Sequence, residues 1–435
     1  MGEPQGSTQQ SPGMISRASA NYALFILTIV YTFNFIDRQI LAILLPPIKA
    51  EFNVDDWVLG MLHGTSFALF YATLGIPIAL LGDRFSRRNL VAAALAIWSG
   101  MTALSGMAAN VVQLALARIG VGIGEAGCSP PAHSMLSDYF PPQQRSTAMG
   151  IYSLGISFGI MLAYVGGGWV AENIGWRQAF FIVGIPGLVL ALIVRFTVRE
   201  PVRGSSENRV DRESPSEIWQ VGRFLLRRRS FLHLAMGSAM ASFGGYSVAS
   251  FFPSFLNRTH GLGLADAGLY LGLIIGIAGG IGYAGGGYVA DKLGTTARRR
   301  ALNGVAIALL IGWVFSIPVV LVSSLVLCLA LFVVPTVFSN FYLATTIAQT
   351  QSLVGLRMRA VASAYLFFIL NAIGLGLGPL TTGLLSDLLV PHFGEESLRY
   401  SLLLVGIVVS PWAAMHYYLA GRHIDADLQR ATQDS

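Results

Sequence analysis

Apolar segments long enough to cross a bilayer recur along almost the whole chain, and no other feature limits the fold so strongly. A helix needs about 20 predominantly apolar residues to span the hydrocarbon core. The sequence offers twelve such segments, at roughly 20–45, 57–82, 88–109, 111–137, 147–171, 177–198, 231–256, 264–290, 300–321, 324–353, 360–387 and 399–420. It therefore reads as an all-α membrane protein of twelve transmembrane helices. Composition agrees: 54% of the residues are hydrophobic and 11% charged, where a soluble domain carries about 25% charged residues.

Residues 1–19 lack the short apolar core and cleavage site of a signal peptide, so the first segment is expected to remain as a helix behind a short cytoplasmic tail. Arginine and lysine then set the orientation, because they accumulate in cytoplasmic loops. One side collects Arg84, Arg87, Arg88, Arg145, the stretch from Arg199 to Arg229, Lys292, Arg298 to Arg300, Arg357, Arg359 and Arg422. The other receives Lys49, Arg177, Arg258 and Arg399. Both termini are thus expected in the cytoplasm, and the net charge of +6 is a topology signal. Nothing resembles a nucleic-acid-reading element.

The chain repeats itself after six spans. GDRFSRR (82–88) follows the second span and ADKLGTTARRR (290–300) the eighth, each an acidic residue closing a helix ahead of basic ones. The expected organisation is a tail at 1–19, a six-helix bundle at 20–198, a cytoplasmic linker at 199–230, a second bundle at 231–421 and a tail at 422–435. Within the linker, SEIWQVGRFLLRRRS suits an interfacial helix on the cytoplasmic leaflet, or a basic extension of the seventh span.

RIGVGIGEAGCSPP (118–131) contains GIGEAG, a formal match to the dinucleotide-binding pattern. That pattern works only where a strand turns into a helix, and here it lies inside an apolar span. GISFG (155–159) likewise imitates a nucleophile elbow but falls mid-helix, in a spacing that lets membrane helices approach closely. The two cysteines lie in apolar spans, the histidines form no cluster, and His133 is the one placed well within a span. No enzyme, metal or cofactor is implied, and no Walker motif points to ATP.

What remains is charge. Arg118 and Glu125 are seven residues apart, so they share a helix face, with Gly122 between them leaving room for a neighbour. Asp37 and Arg38 lie in the first span. Ionisable groups at this depth cost about 2.5–3.5 kcal/mol to insert and are functional by default; the bland alternative is that they staple the first and fourth helices together. The other bundle offers polar and aromatic groups instead: Tyr246, Ser250, Asn340, Tyr342, Thr345, Thr346 and Asn371. Asn34, the two arginines and these groups other than Thr345 are the candidate substrate contacts.

Twelve spans, GDRFSRR, the Arg118 helix and GWRQAFFIVGIPG (175–187) together resemble the major facilitator superfamily. YTFNFIDRQ in the first span and RIGVGIGEAGCSPP in the fourth are similar to its Spinster branch, in bacterial form. The resemblance implies alternating access between two pseudo-symmetric bundles. It also implies a sphingolipid- or lysophospholipid-like substrate whose phosphate meets Arg38 and Arg118, with drugs or small organic anions as the alternative cargo and a non-transporting lipid sensor as a further one. Protons are expected to be carried by Asp37 and Glu125, each competing with its proton for an arginine. Asp83, with Arg84, Arg87, Arg88 and Arg359, and Asp291, with Lys292 and Arg145, are expected to latch the cytoplasmic side shut. The expected partners are an amphiphilic substrate, protons and membrane lipids, and the expected form is a monomer in the inner membrane of a bacterium.

Overall fold

The structure, a computed structural model, describes residues 16–202, 218–293, 297–355 and 358–433. Most of the expected N-terminal tail, linker residues 203–217 and Arg357 lie outside the described residues, as do the side chains of Asp83, Arg84 and Asp291.

The described backbone is helical almost throughout and contains no strand. Its first half comprises α1 (Arg17–Phe52), α2 (Asp56–Gly60), a π-helical turn (Met61–Thr65), α3 (Ser66–Arg84), α4 (Arg87–Ser105), α5 (Val111–Glu125), α6 (Ser129–Tyr139), α7 (Pro142–Asn173) and α8 (Trp176–Thr197). After a short α9 (Ile218–Leu226) come α10 (Arg229–His260), α11 (Leu264–Leu273), a π-helical turn (Ile274–Ala278), α12 (Gly279–Leu293), α13 (Arg298–Leu321), α14 (Leu325–Phe338) and α15 (Tyr342–Ser352). The chain finishes with α16 (Arg359–Ile369), a π-helical turn (Leu370–Leu375), α17 (Gly376–Phe393) and α18 (Ser397–Gln433).

Nine described stretches are long and apolar enough to cross a bilayer, and the last of them, Val361–Arg430, contains both α16–α17 and α18. The more polar α4, which opens on two arginines, and α10, which carries six serines, complete twelve passes. The protein is a multi-pass membrane protein of two six-helix bundles.

Local chemistry explains the breaks. Ser16, Ser86 and Asn110 cap α1, α4 and α5 by accepting backbone N–H groups at 3.2, 3.3 and 3.0 Å, which satisfies donors that a helix start leaves open. The fourth pass is broken after Glu125: a turn through Gly127 and Cys128 follows, and Pro130 and Pro131 start α6, where a missing N–H costs nothing. Glu125 is thereby the last residue of a helix rather than mid-helix. The stretch after 422, expected as a tail, continues α18 without interruption. That helix of 37 residues is about 55 Å long, more than the hydrocarbon core requires, and its end is tied down where Asp427 accepts from the N–H and hydroxyl of Ser230 at 2.8 and 2.7 Å.

The apolar core is forked. One cluster joins the bundles, with Ile43 and Leu44 of α1, Phe251 and Phe255 of α10 and Leu271 of α11. Toward the terminal face, where α1 begins and α18 ends, it divides into a cluster around Leu27, Trp98 and Tyr152 and another around Phe231, Leu302 and Tyr417. The bundles are therefore sealed together at the face remote from the termini and part toward the terminal face.

Candidate functional site

α1 and α5 bring the four in-span charges together. Asp37, Arg118 and Glu125 are 0, 0 and 1% exposed and Arg38 is 7% exposed. Gly122 supplies the expected room: a Cβ there would fall 2.6 Å from the Phe67 carbonyl oxygen of α3, so α5 lies directly against α3.

The pairing differs from the helix-face expectation. Glu125 is held by Arg38 of α1, whose Nη2 and Nε donate to Glu125 Oε2 at 2.7 and 3.2 Å. Glu125 Oε1 has no hydrogen bond, and Asn34 lies buried beside the carboxylate without completing one. Arg118 instead donates Nη1 to the backbone carbonyl of Asp37 at 3.2 Å, leaving Nε and Nη2 unpartnered. A shared face sets direction but not reach, and the guanidinium that arrives first comes from another helix. Asp37 makes no hydrogen bond; its carboxylate stands in the electrostatic neighbourhood of Glu125, Thr102, Arg118 and Trp98. Above the pair, Arg38 lies over the rings of Phe35, Phe67 and Tyr71 at 5.1, 5.0 and 4.8 Å, an arrangement that attracts a desolvated cation.

Between the bundles is a cavity of about 1500 Å³. Arg38, Tyr31 and Tyr71 line it on one side, and Tyr246, Asn340, Tyr342 and Asn371 on the other. At the terminal face it reaches Arg87, Ser134 and Ile218, and in the second bundle an apolar arm runs between Trp313, Val320, Phe332 and Leu402. Asn34, Asp37, Arg118 and Glu125 stand behind Arg38 rather than in the wall. Ser250 and Thr346 are not in the wall either: Ser250 meets His63, and Thr346 is bonded to Tyr417 Oη at 2.6 Å. Thr345 is fully buried.

Two features were missed by sequence reasoning. His63, 2% exposed, places Nδ1 2.6 Å from Ser250 Oγ, and it forms one helix face with Phe67 and Tyr71. That i, i+4, i+8 spacing was the available signal. His133 lies inside its span, as expected, and lines the cavity from α6 as an exposed residue. The second missed feature is Asp56, which falls one residue ahead of the second apolar segment. It accepts from Lys49 at 2.6 Å, from Arg258 at 2.7 and 2.6 Å and from Ser386 at 2.7 Å. Asp387 of α17 in turn accepts from the N–H groups of Asp56 and Trp57 at 3.0 and 2.8 Å, where a helix start favours a carboxylate.

Close packing reinforces this contact between bundles. A Cβ at Gly60 would fall 2.3 Å from the Pro379 carbonyl oxygen, and one at Gly383 2.3 Å from that of Asp56.

At the terminal face, Arg87 bridges Asp138 at 2.5 Å and Glu200 at 3.0 Å within the first bundle. Burial pushes the Glu200 carboxyl up, but hydrogen bonds from the Arg88 N–H, Ser86 and Arg87 outweigh it and hold the group below its ordinary range. Arg88 also reaches the Val198 carbonyl at 3.4 Å, Arg145 donates to the Ser137 carbonyl at 2.9 Å, Lys292 meets Tyr288 Oη at 2.7 Å, and Arg359 is exposed. The expected latch carboxylates Asp83 and Asp291, with Arg84, lie outside the described side chains.

The profile described as Major Facilitator Superfamily matches residues 27–379. The chain is 34% identical over 406 residues to an MFS-type efflux pump of Mycolicibacterium smegmatis, covering 93% of this chain and 94% of that one. It is 31% identical over 265 residues to protein spinster homolog 1 of Homo sapiens, covering 59% of this chain and 50% of that protein. The crystal structure of a bacterial homologue of the human lysosomal transporter Spinster, inward-facing and unoccupied, superposes with a TM-score of 0.84 at 31% identity, over 95% of this chain and 99% of that one.

Proposed function

The chain belongs to the Major Facilitator Superfamily, and from that premise we propose that this Spinster-like transporter moves an amphiphilic anion, of the lysophospholipid or sphingoid-phosphate kind, across the membrane in a proton-coupled manner. The carrying observation is the double position of Arg38, which is both a wall of the cavity and the partner of Glu125. A guanidinium suits phosphate geometry, and the apolar arm beyond Tyr342 suits an aliphatic tail. When Glu125 takes a proton, Arg38 is released to an anionic head group; when Glu125 loses it, the internal pair reforms and helps expel the ligand. Asp37, behind the pair, is the second proton site, and Arg118 stabilises both acids.

On this reading the structure is the state open to the cytoplasm, with the terminal face inside. Sealing at the far face rests on Asp56 and the Gly60 and Gly383 approaches. Opening there requires the Asp56–Arg258 and Asp387 contacts to part while the terminal face closes.

The efflux-pump relative, 34% identical over 93% of the chain, favours a second reading in which the cargo is a drug-like amphiphile. A tail-length series separates the two. Binding of lysophosphatidic acids of increasing chain length to protein in nanodiscs is expected to tighten with each two carbons and to be lost in Arg38→Ala. Affinity indifferent to tail length, or unchanged in Arg38→Ala, supports the drug-like cargo instead.

A further inference from the structure

The arm that leaves the cavity within the second bundle is bounded by two helix stripes. Leu309, Trp313, Ser316 and Val320 line it from α13, and Leu402, Gly406 and Ser410 from α18; spacings of three and four residues put each set on one helix face. The α13 wall from Leu309 to Val320 is about 16 Å of helix. Three hydroxyls along the arm turn back on their own helices: Ser316 donates to the Trp313 carbonyl at 2.8 Å, Thr336 to that of Phe332 at 2.7 Å and Ser339 to that of Thr336 at 3.4 Å. What the arm offers a ligand is mainly apolar surface.

Toward the far face the arm is closed. Phe252 of α10 and Phe332 of α14 stack there with ring centroids 4.1 Å apart and planes 17° from parallel, and Val319, Val320 and Leu402 gather around them. All five are buried and belong to the cluster that joins the bundles. Between Leu402 and Ser410 the α18 wall has a notch at Gly406, where the nearest neighbour of an added Cβ would be Ser316 Oγ, at an ordinary contact distance of 3.7 Å. Glycine costs a helix about 1 kcal/mol against alanine, and neither a positive φ nor a close backbone approach calls for it here. What Gly406 supplies is width.

We propose that this arm is a length gauge for one aliphatic chain. Gly406 leaves the width for a chain to pass, and the Phe252–Phe332 stack is the stop that sets the longest chain accommodated. Each methylene buried from water in the arm strengthens binding by about fourfold, and a methylene that would have to pass the stack meets the core that holds the bundles together. The class selected is a single-chain amphiphile whose tail ends at the stack. The gauge rests on the amphiphile reading of the cavity but not on the charge of the head group.

Two homologous series separate the gauge from the cargo: lysophosphatidic acids from octanoyl to stearoyl, and neutral n-alkyl glucosides from octyl to octadecyl, each bound to protein in nanodiscs. Partition of a ligand into the disc is common to all variants, so the ratio of variant to wild-type Kd at each length reports the arm alone. Gly406→Leu, which narrows the arm, is expected to leave the shortest chains within about twofold of wild type and to weaken the longest more than tenfold in both series. Phe332→Ala, which removes the stop, is expected to tighten the longest chains relative to the shortest at least threefold. Ratios that do not vary with chain length in either series would overturn the gauge, as would the absence of binding by both series. A length dependence confined to the glucosides upholds the gauge and overturns the anionic cargo instead. If Phe332→Ala does not fold, Gly406→Leu carries the test alone.

Discussion

Arg38 holds Glu125 by a single carboxylate oxygen, Oε2, with Nη2 at 2.7 Å and Nε at 3.2 Å, and leaves Oε1 without a partner. A fork meeting one oxygen rather than both is a pair that can be undone from one side, by a proton on the unpartnered oxygen. Glu125 also ends α5, where the helix dipole disfavours a negative charge. Arg38 therefore offsets two costs at once, burial and position, and is the group that feels the loss of the charge.

Replacing Glu125 by glutamine keeps the shape and removes the charge for which Arg38 competes. Lysophosphatidic acid is expected to bind Glu125→Gln more tightly than wild type at pH 8, by about tenfold, or about 1.4 kcal/mol. The difference should shrink at acidic pH, where the wild-type carboxylate is itself protonated. Calorimetric titration in nanodiscs at both pH values reads this directly, and equal affinities at pH 8 would show that Glu125 does not restrain Arg38.

Asp56 is 1% exposed and satisfies Lys49 within its own bundle and Arg258 and Ser386 across the seam. Removing one partner from a buried ionic cluster costs about 3–5 kcal/mol, and here part of that loss falls on closure of the far face. Asp56→Asn should shift double electron–electron resonance distances across that face toward the open state and lower thermal stability in detergent. Unchanged distances would locate the seal elsewhere.

Steric sealing can be tested separately from charge. In Gly383→Ala the new Cβ would meet the Asp56 carbonyl at 2.3 Å, a contact backbone cannot relieve without parting α2 from α17. This variant is expected to lose substrate transport by more than tenfold, while a cysteine introduced in the cavity wall becomes more reactive to an impermeant thiol reagent added at the far face. Wild-type transport would show that the helices separate more readily than the packing indicates.

Glu200 provides a pH test outside the membrane. Its carboxyl is held below its ordinary range, so its contribution is fully present above the unfolded value of about 4.3 and is lost as pH falls through the lower folded value. The melting temperature of wild type should exceed that of Glu200→Gln by a constant margin above about pH 5.5, and the margin should close as pH falls below about 4. A margin that persists at low pH would mean the residue acts by shape rather than charge.

Spans and charges were legible because lipid makes both conspicuous: Asp37, Arg38, Arg118 and Glu125 stand out against apolar neighbours, and the structure gathers all four at one point. Partner choice was not legible. The i, i+7 spacing correctly put Arg118 and Glu125 on one side of the same pass, yet Glu125 is reached by Arg38 across helices, a matter of side-chain reach that spacing does not contain. His63 escaped notice because its partner Ser250 lies 187 residues away, and a single histidine near a span end carries no local signal. Asp56 was obscured for the opposite reason: a charge at a span boundary looks like solvent exposure until Arg258, Ser386 and Asp387 arrive from the second bundle. Ser250 and Thr346 were read as cavity contacts from polarity alone, whereas their hydroxyls are committed to His63 and Tyr417.

The central claim is that proton and substrate share Arg38 through Glu125. Purified protein reconstituted in liposomes that enclose a pH-sensitive dye, challenged with a lysophospholipid or sphingoid phosphate, measures it most directly. The account predicts substrate-evoked proton movement in the wild type and substrate movement without protons, or none at all, in Glu125→Gln; proton movement of wild-type size in Glu125→Gln would contradict it.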